Sequence, residues 1–152
     1  MRIAIESTSA IRQQAGVGRY TRELLRELVT LDQHTEFVLA IAGSADDATR
    51  LWDTLGPGAW REIHRLPASE RVLTVAWQRL KVPVPIDRFI GPLDVFHGPD
   101  FVTPPTRAAR VVTVHDLSFL VHPEFAEPNL VRYLSTAVPR ALRTAEAVIA
   151  VS

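Results

Sequence analysis

The 152-residue sequence contains no cysteine, and this absence excludes disulfide cross-links, thiolate chemistry and cysteine-ligated zinc sites. It also has no excess of either charge, because 17 Lys and Arg residues are matched by 17 Asp and Glu residues. A domain that binds nucleic acid needs a basic excess on one face, so we expect no nucleic-acid partner. A large polybasic membrane-binding surface is equally unsupported, although a chain-wide average leaves a local basic patch open.

Long apolar runs are missing as well. No run approaches the roughly 18 residues of a membrane-spanning helix, and the first residues, MRIAIESTS, lack the apolar core of a signal peptide. We therefore expect a cytoplasmic protein. With 47% hydrophobic residues, residues 1–152 suffice for about one domain with its own core. The last letters, EAVIAVS, predict a strand that stops at the chain end, which is typical of a piece of a longer protein.

The most informative stretch is RVVTVHDLSF, residues 110–119. Val111, Val112 and Val114 are β-branched and predict a strand that is buried on both faces. His115 and Asp116 follow, and a buried strand could not easily hide these two polar groups. A strand that is apolar along its length and polar at its carboxyl end is typical of an open parallel α/β sheet, in which ligands bind beyond the carboxyl ends.

Strand-like and helix-like periodicities alternate along the rest of the chain. Further strands are predicted at Arg2–Glu6, 36–42, 60–66 (an edge strand), 93–96 and 147–151. Helices are predicted at Val17–Leu31, Ala45–Leu55, 69–80 and 129–144. The candidate N-caps are Ser44 or Asp46 for the second helix, Ser69 for the third and Asn129 for the fourth. Pro139 predicts a kink or break in the fourth helix. The segment between the first strand and the first helix is predicted to be a loop. The alternation predicts an α/β fold with a doubly wound parallel sheet, a Rossmann-like three-layer α/β/α arrangement and the strand order 3-2-1-4-5-6.

The periodicities also assign side chains to the core or the surface. We expect burial of Val72, Leu73, Ala76, Leu80, Trp52, Trp60 and Trp77. Arg12, Arg19 and Arg22 either line the mouth of a cleft or solvate a helix face, and the solvated face is favoured for Arg22 and Arg26.

His115 and Asp116 fit several kinds of site. They could form a general acid–base pair, or they could bind a sugar or a phosphate through polar contacts. With His97, Asp100 and His122 they offer enough nitrogen and oxygen ligands for a metal, although no recognisable ligand pattern is present. A purely structural histidine that bonds backbone carbonyls at the strand end is the remaining alternative.

A second candidate lies just before the first long helix, in Gly16-Val17-Gly18. Glycines at this position let backbone amides approach an anion at the helix amino terminus. The pattern is not the dinucleotide fingerprint, because Thr21 stands where the third glycine would be. Plain loop flexibility explains the same residues about as well.

Taken together, these segments resemble the amino-terminal half of a family-4 glycosyltransferase of the GT-B fold. The resemblance is carried by MRIAIE, AGVGRYTRELLREL, DVFHGPDFVTPP, RVVTVHDLSFLVHPE and AEAVIAVS. In that family, two Rossmann-like domains face each other across a cleft. The amino-terminal domain mainly holds the acceptor, and the carboxyl-terminal domain binds the nucleotide-sugar donor. The resemblance implies transfer of a hexose, mannose being one candidate, with retention of configuration and without a cofactor or an essential metal.

The resemblance also implies roles for individual residues. His115 would approach and position the transferred sugar as the catalytic residue, and Gly16 and Gly18 would supply amides near the donor diphosphate. The implied substrate-binding residues are Gly16, Gly18, Arg19, His97, Asp100 and Asp116. The acceptor would be a glycan or a lipid-linked sugar, which leaves open a peripheral association with the inner face of the membrane.

The family's E-x7-E motif belongs to its carboxyl-terminal domain, so we regard the same spacing of Glu62 and Glu70 as chance. We therefore expect half of an enzyme that binds the donor poorly and is inactive alone. The alternative is a non-catalytic Rossmann-like module that binds a phosphorylated or nucleotide ligand. A metal-dependent hydrolase built on His97, His115 and Asp116 is a more distant third hypothesis.

Overall fold

The computed structural model describes residues 1–14, 16–56 and 60–151, with the side chains of residues 60 and 61 excepted. The sequence Gly56-Pro57-Gly58 predicts a turn, and residues 57 and 58 of this turn lie outside the described residues, as does the Trp60 side chain, for which burial was predicted.

A six-stranded parallel sheet forms the centre of the molecule. Its strands are β1 (Arg2–Glu6), β2 (Glu36–Ile41), β3 (Trp60–Arg65), β4 (Val95–Gly98), β5 (Ala109–Val114) and β6 (Ala147–Ala150). The order across the sheet is β3-β2-β1-β4-β5-β6 with every pair parallel, which confirms the predicted order. Ile5 of β1 pairs with Leu39 on one side and His97 on the other.

Helices cover both faces of this sheet. They are α1 (Thr8–Arg12), α2 (Val17–Leu31), α3 (Ala45–Leu55), α4 (Glu70–Thr74), which continues into a π-helical turn (Val75–Arg79), α5 (Asp87–Ile90), α6 (Ser118–Val121), a 3-10 turn (Pro123–Phe125) and α7 (Pro128–Thr144). Adjacent residues of a strand point to opposite faces. Ile5 accordingly packs with Leu25 of α2 and Leu51 of α3, whereas Ala4 packs with Leu73 and Trp77 on the other face. The Rossmann-like α/β/α prediction is confirmed.

Several local predictions are wrong for identifiable reasons. The expected loop after β1 contains α1, and Arg22 donates hydrogen bonds to the carbonyls of Ala10, Gln13 and Gln14 at 2.7–2.9 Å. Arg22 therefore supports the end of α1 instead of solvating a helix face. Trp52 is 46% exposed, so its predicted burial is also wrong.

The helix predicted at 69–80 changes its winding. The α-helical part gives way to a π-helical turn at Val75. Leu73 and Trp77 are buried as predicted, whereas Val72 and Leu80 are 56% and 70% exposed, so their predicted burial is wrong. Ser69 occupies the N-cap position but makes no capping hydrogen bond.

The last long helix corrects two further predictions. Glu127, not Asn129, caps α7 by accepting a hydrogen bond from the Leu130 amide. α7 also runs unbroken through Pro139, where a break was one expectation. Proline removes one backbone hydrogen bond, but Leu134 and Val138 pack against β5 and hold the helix across that point.

Candidate active-site cleft

Polar groups from three strands meet at one edge of the sheet. Because β1, β4 and β5 are parallel and lie next to one another, their carboxyl ends share that edge. Glu6 closes β1, Asp100 follows β4, and His115 follows β5. This convergence follows from the predicted strand order, because the carboxyl ends of adjacent parallel strands share one edge.

His115 is held from several sides. Its Nε2 donates to the Pro99 carbonyl oxygen at 2.7 Å, so this ring nitrogen carries a proton. The rings of Tyr20 and Phe101 pack edge-on against the imidazole, with centroids 4.9 and 5.6 Å away. Phe101 has a φ of 60°, a conformation that non-glycine residues rarely adopt and that clusters at functional sites. The imidazole therefore has a fixed orientation at the rim of the cleft.

The predicted glycine segment lies beside His115. Gly16 is the N-cap of α2, and its carbonyl accepts a hydrogen bond from the amide of Tyr20, whose ring contacts His115. The amides of Val17, Gly18 and Arg19 have no acceptor within the helix, as at any helix start. The Arg19 side chain is exposed.

Gly18 has a packing role of its own. It is buried, and a Cβ atom there would overlap the backbone carbonyl oxygen of Gln13. A glycine at residue 18 therefore allows α1 to pack against the start of α2.

His97 lies beneath the cleft and not on its surface. It is 6% exposed, and its Nε2 is 2.8 Å from the Thr113 hydroxyl. Burial lowers the pKa of His97 to about 4, so the ring is neutral at physiological pH. The Tyr20 hydroxyl lies 3.3 Å from the same Thr113 oxygen, which connects His97 to the His115 side of the cleft. The contact seen for His97 is structural, and a direct contact with a substrate stays a prediction.

A cavity of about 480 Å³ opens at this edge, between the sheet and the helices of one face. Its polar lining includes the carboxyl groups of Glu6, Glu70 and Asp100, the amides of Gln13 and Gln78, and the Thr74 hydroxyl. Most of its wall is apolar or aromatic, and includes Leu66, Leu73, Trp77, Phe101, Tyr133 and Leu134. Volumes of this size, with a few polar groups on an apolar wall, are typical of small-molecule sites.

Two carboxyl groups of the cavity have perturbed pKa values. Burial raises the pKa of Glu6 to about 7, even though the Thr8 amide donates a hydrogen bond to it at 2.9 Å. Burial also raises the pKa of Asp100, against the opposing effects of His115 and of Gln13, whose side-chain amide lies 3.4 Å away. Strong shifts in a cleft mark candidate functional groups.

The cavity mouth carries an ion pair, and Asp116 lies apart from the cavity. Arg12 donates to the Ala42 carbonyl at 3.2 Å and lies 3.9 Å from the Glu70 carboxylate. The predicted role of Arg12 at the mouth is consistent with this position.

Asp116 is exposed and accepts hydrogen bonds from the backbone and side chain of Ser118, which lower its pKa.

Within residues 1–14, 16–56 and 60–151, no three His, Asp or Glu side chains come close enough together to hold a metal ion. The five residues considered as ligands from the sequence are therefore not assembled into one site. The same residues contain no helix that combines the length and apolar character needed to cross a membrane.

Sequence reasoning missed most of the cavity wall. Glu6 was noted only as the end of a strand. A carboxylate in the last position of a buried strand could have identified it as a candidate site residue. Tyr20 belonged to the apolar stripe of α2, and Trp77 was assigned to the core, where it is indeed buried. Nothing in the pattern of residues 128–134 indicated that Tyr133 would line the cavity.

Comparison with known proteins gives one informative similarity. No family model matches the sequence, and no solved structure matches it. The O-antigen chain mannosyltransferase B of Escherichia coli is 26% identical over 141 residues, which cover 90% of this chain and 37% of that protein. This chain is thus similar over most of its length to a mannosyltransferase, and it spans little more than a third of that relative.

Proposed function

We propose that this chain is the acceptor-side domain of a retaining glycosyltransferase of the GT-B type, which transfers a hexose such as mannose from a nucleotide-sugar. The observation that carries the proposal is the cavity at the carboxyl edge of the sheet, in a chain similar to a mannosyltransferase over 90% of its length. The acceptor is a glycan or a lipid-linked sugar, and a lipid-linked one would place the reaction at the inner face of the membrane.

The cavity suits a sugar for two physical reasons. The carboxyl groups of Glu6 and Asp100 accept hydrogen bonds from sugar hydroxyls, and the Gln13 amide can donate one. The faces of Trp77 and Tyr133 offer apolar surface to the C–H faces of a pyranose ring. With a pKa of about 7, Glu6 is about half protonated at neutral pH, so it can also donate a hydrogen bond.

The donor end of the reaction is assigned to the rim formed by His115 and the start of α2. The amides of Val17, Gly18 and Arg19, which have no acceptor within the helix, and the positive end of the helix dipole favour an anion such as a diphosphate. His115, fixed between two aromatic rings, positions the transferred sugar between this anion and the cavity. Most donor contacts belong to a second domain, so the 152-residue chain alone binds donor weakly and has no turnover.

A transfer assay on the full-length polypeptide tests the proposal. Hexose transfer from a nucleotide-sugar should be detectable, and NMR of the product should show the anomeric configuration of the donor. His115→Ala should reduce kcat/KM about a hundredfold or more, as expected for loss of a group that touches the reacting sugar, while His34→Ala, an exposed histidine at the opposite edge of the sheet, serves as control. Absence of transfer combined with binding of a nucleotide or phosphorylated ligand would favour the non-catalytic alternative.

A further inference from the structure

A second groove, of about 590 Å³, runs between the end of the π-helical turn and the exposed side of α7. Five cationic side chains line it: Arg79, Lys81, Arg132, Arg140 and Arg143. Gln78, Asn129, Tyr133 and Thr136 add uncharged polar groups, and no carboxylate is among the lining residues. In a chain with no net charge, this is a local concentration of positive charge. We call it the cationic groove.

The charges of the cationic groove are not neutralised by neighbours. In the described part of the chain, other arginines form ion pairs: Arg2 with Glu36 and Glu62, and Arg26 with Glu23. None of the five groove cations has a carboxylate oxygen within 4.0 Å there.

Glu127 lies close enough to Arg132 for this cation to contribute to the lowering of the Glu127 pKa. The main causes of that lowering are hydrogen bonds from Asn129 and the Leu130 amide, because the Glu127 carboxylate caps α7. Arg140 and Arg143 are neighbours on the helix surface at i,i+3, and like charges at this spacing destabilise a helix. A bound anion would remove this repulsion.

The backbone on one side of the groove is unusual. Arg79 ends a π-helical turn, and Lys81 follows with a φ of 54°. π-Helical turns and non-glycine residues in the left-handed region both cost free energy and are concentrated at functional sites. Here they direct two of the five cations to one side of the groove while α7 supplies the other three.

The cationic groove is continuous with the proposed acceptor cavity. Gln78 and Tyr133 line both spaces. A ligand with a sugar in the cavity can therefore extend past these two side chains into the groove.

From this arrangement we propose that the cationic groove binds the phosphate or diphosphate ester of an acceptor whose sugar occupies the cavity. The sugar part of this assignment rests on the proposed function, whereas phosphate binding in the groove does not. Arginine guanidinium groups bind phosphate oxygens through paired, charge-assisted hydrogen bonds, and Asn129 and Thr136 can donate further ones. The five positive charges exceed the charge of a diphosphate diester, so the groove accommodates either a monophosphate or a diphosphate.

Binding of inorganic pyrophosphate to the 152-residue chain, measured by calorimetry, tests this assignment. We expect saturable binding that weakens as salt is raised, and a dissociation constant at least about tenfold higher for Arg132→Gln/Arg140→Gln. Arg50→Gln, an exposed arginine of α3 on the other face of the sheet, should bind as the wild type does. Arg132→Lys/Arg140→Lys should retain part of the affinity, because the charge is kept while the paired geometry is lost.

The same proteins should be mixed with vesicles containing an anionic phospholipid and with neutral vesicles. Pyrophosphate binding that is lost in the Gln variant supports the assignment whether or not anionic vesicles also bind, and vesicle binding then identifies the phosphate as one carried by a lipid. Capture by anionic vesicles without any pyrophosphate binding would overturn it in favour of general membrane attraction. Unchanged pyrophosphate binding in the Gln variant would overturn it as well.

Failure of this proposal can be told apart from failure of the proposed function. Pyrophosphate binding in the groove, together with no hexose transfer by the full-length polypeptide, would remove the glycosyltransferase and leave the anion site. Hexose transfer that is unchanged in the Gln variant, together with no pyrophosphate binding, would remove the anion site and leave the glycosyltransferase.

Discussion

The raised pKa of Glu6 predicts that the carboxylate at the bottom of the cleft lowers the stability of the folded chain at neutral and alkaline pH. Burial raises its pKa from 4.5 to about 7. Between these values the folded state holds more protons than the unfolded state, so the contribution of Glu6 to stability falls as the pH rises through this window. Below pH 4.5 both states are protonated and the penalty disappears.

The size of the penalty follows from the two pKa values. A shift from 4.5 to about 7 corresponds to a maximum of about 3.4 kcal/mol at 1.36 kcal/mol per unit. Between pH 5 and pH 8 the penalty grows by about 2.5 kcal/mol by the linkage relation. Glu6 keeps some contact with solvent in the cavity, so these values are upper bounds.

Urea unfolding of the wild type and of Glu6→Gln at pH 5 and pH 8 measures this penalty. The glutamine keeps the acceptor for the Thr8 amide but carries no charge, so Glu6→Gln should be more stable than the wild type by up to about 3 kcal/mol at pH 8 and by under about 1 kcal/mol at pH 5. His97 has the opposite pH dependence, because its lowered pKa makes stability fall as the pH drops from 6.5 towards 4. Both proteins contain His97, so subtracting the wild-type stability from that of Glu6→Gln removes this contribution. Glu27→Gln, on the exposed side of α2, is the matched control. A Glu6→Gln protein that is equally stable as, or less stable than, the wild type at pH 8 would refute the reasoning.

Two further predictions concern the support of the cleft. Thr113→Val should lower the free energy of unfolding by about 1–3 kcal/mol, because it leaves the buried His97 nitrogen without its partner; a loss no larger than that of the exposed Thr49→Val would show that this bond is unimportant. Gly18→Ala should lower the unfolding free energy by about 1–3 kcal/mol or more, because its Cβ atom overlaps backbone. Gly16→Ala, which meets no atom within 4 Å and adopts a φ of 58°, should cost about 1 kcal/mol through backbone strain alone. Equal denaturation midpoints for the two alanine variants would contradict this difference.

The sheet and its functional edge were predictable because they follow from patterns that lie within single segments. Buried strands such as residues 110–114 are short β-branched runs, and the helices between them force parallel pairing through right-handed crossovers. Once the order is fixed, His115 and Asp100 must lie at the same edge. The sequence therefore determined which strand ends meet before any contact was known.

The contents of the edge were less predictable, because they depend on contacts between distant segments. Glu6 lines the cavity together with residues of α4, the π-helical turn and α7, and no periodicity describes that arrangement. The π-helical turn has no signature in the sequence pattern, which predicted burial of both Trp77 and Leu80, whereas only Trp77 is buried. His97 was predicted to follow the fourth strand, whereas it lies within β4 and is buried, with its Nε2 2.8 Å from the Thr113 hydroxyl. The cationic groove combines residues 79–81 with α7 and has no signature in either segment.

Separate kinetics for the two substrates test the central claim most directly. In the proposed function, this domain binds the acceptor, and Asp100 lines the acceptor cavity. In the full-length polypeptide, Asp100→Asn should raise the KM for the acceptor about tenfold while leaving the KM for the nucleotide-sugar unchanged, and Asp53→Asn, an exposed position on α3, should change neither. A rise in the nucleotide-sugar KM with an unchanged acceptor KM would contradict the account, because it would place the donor in this cavity.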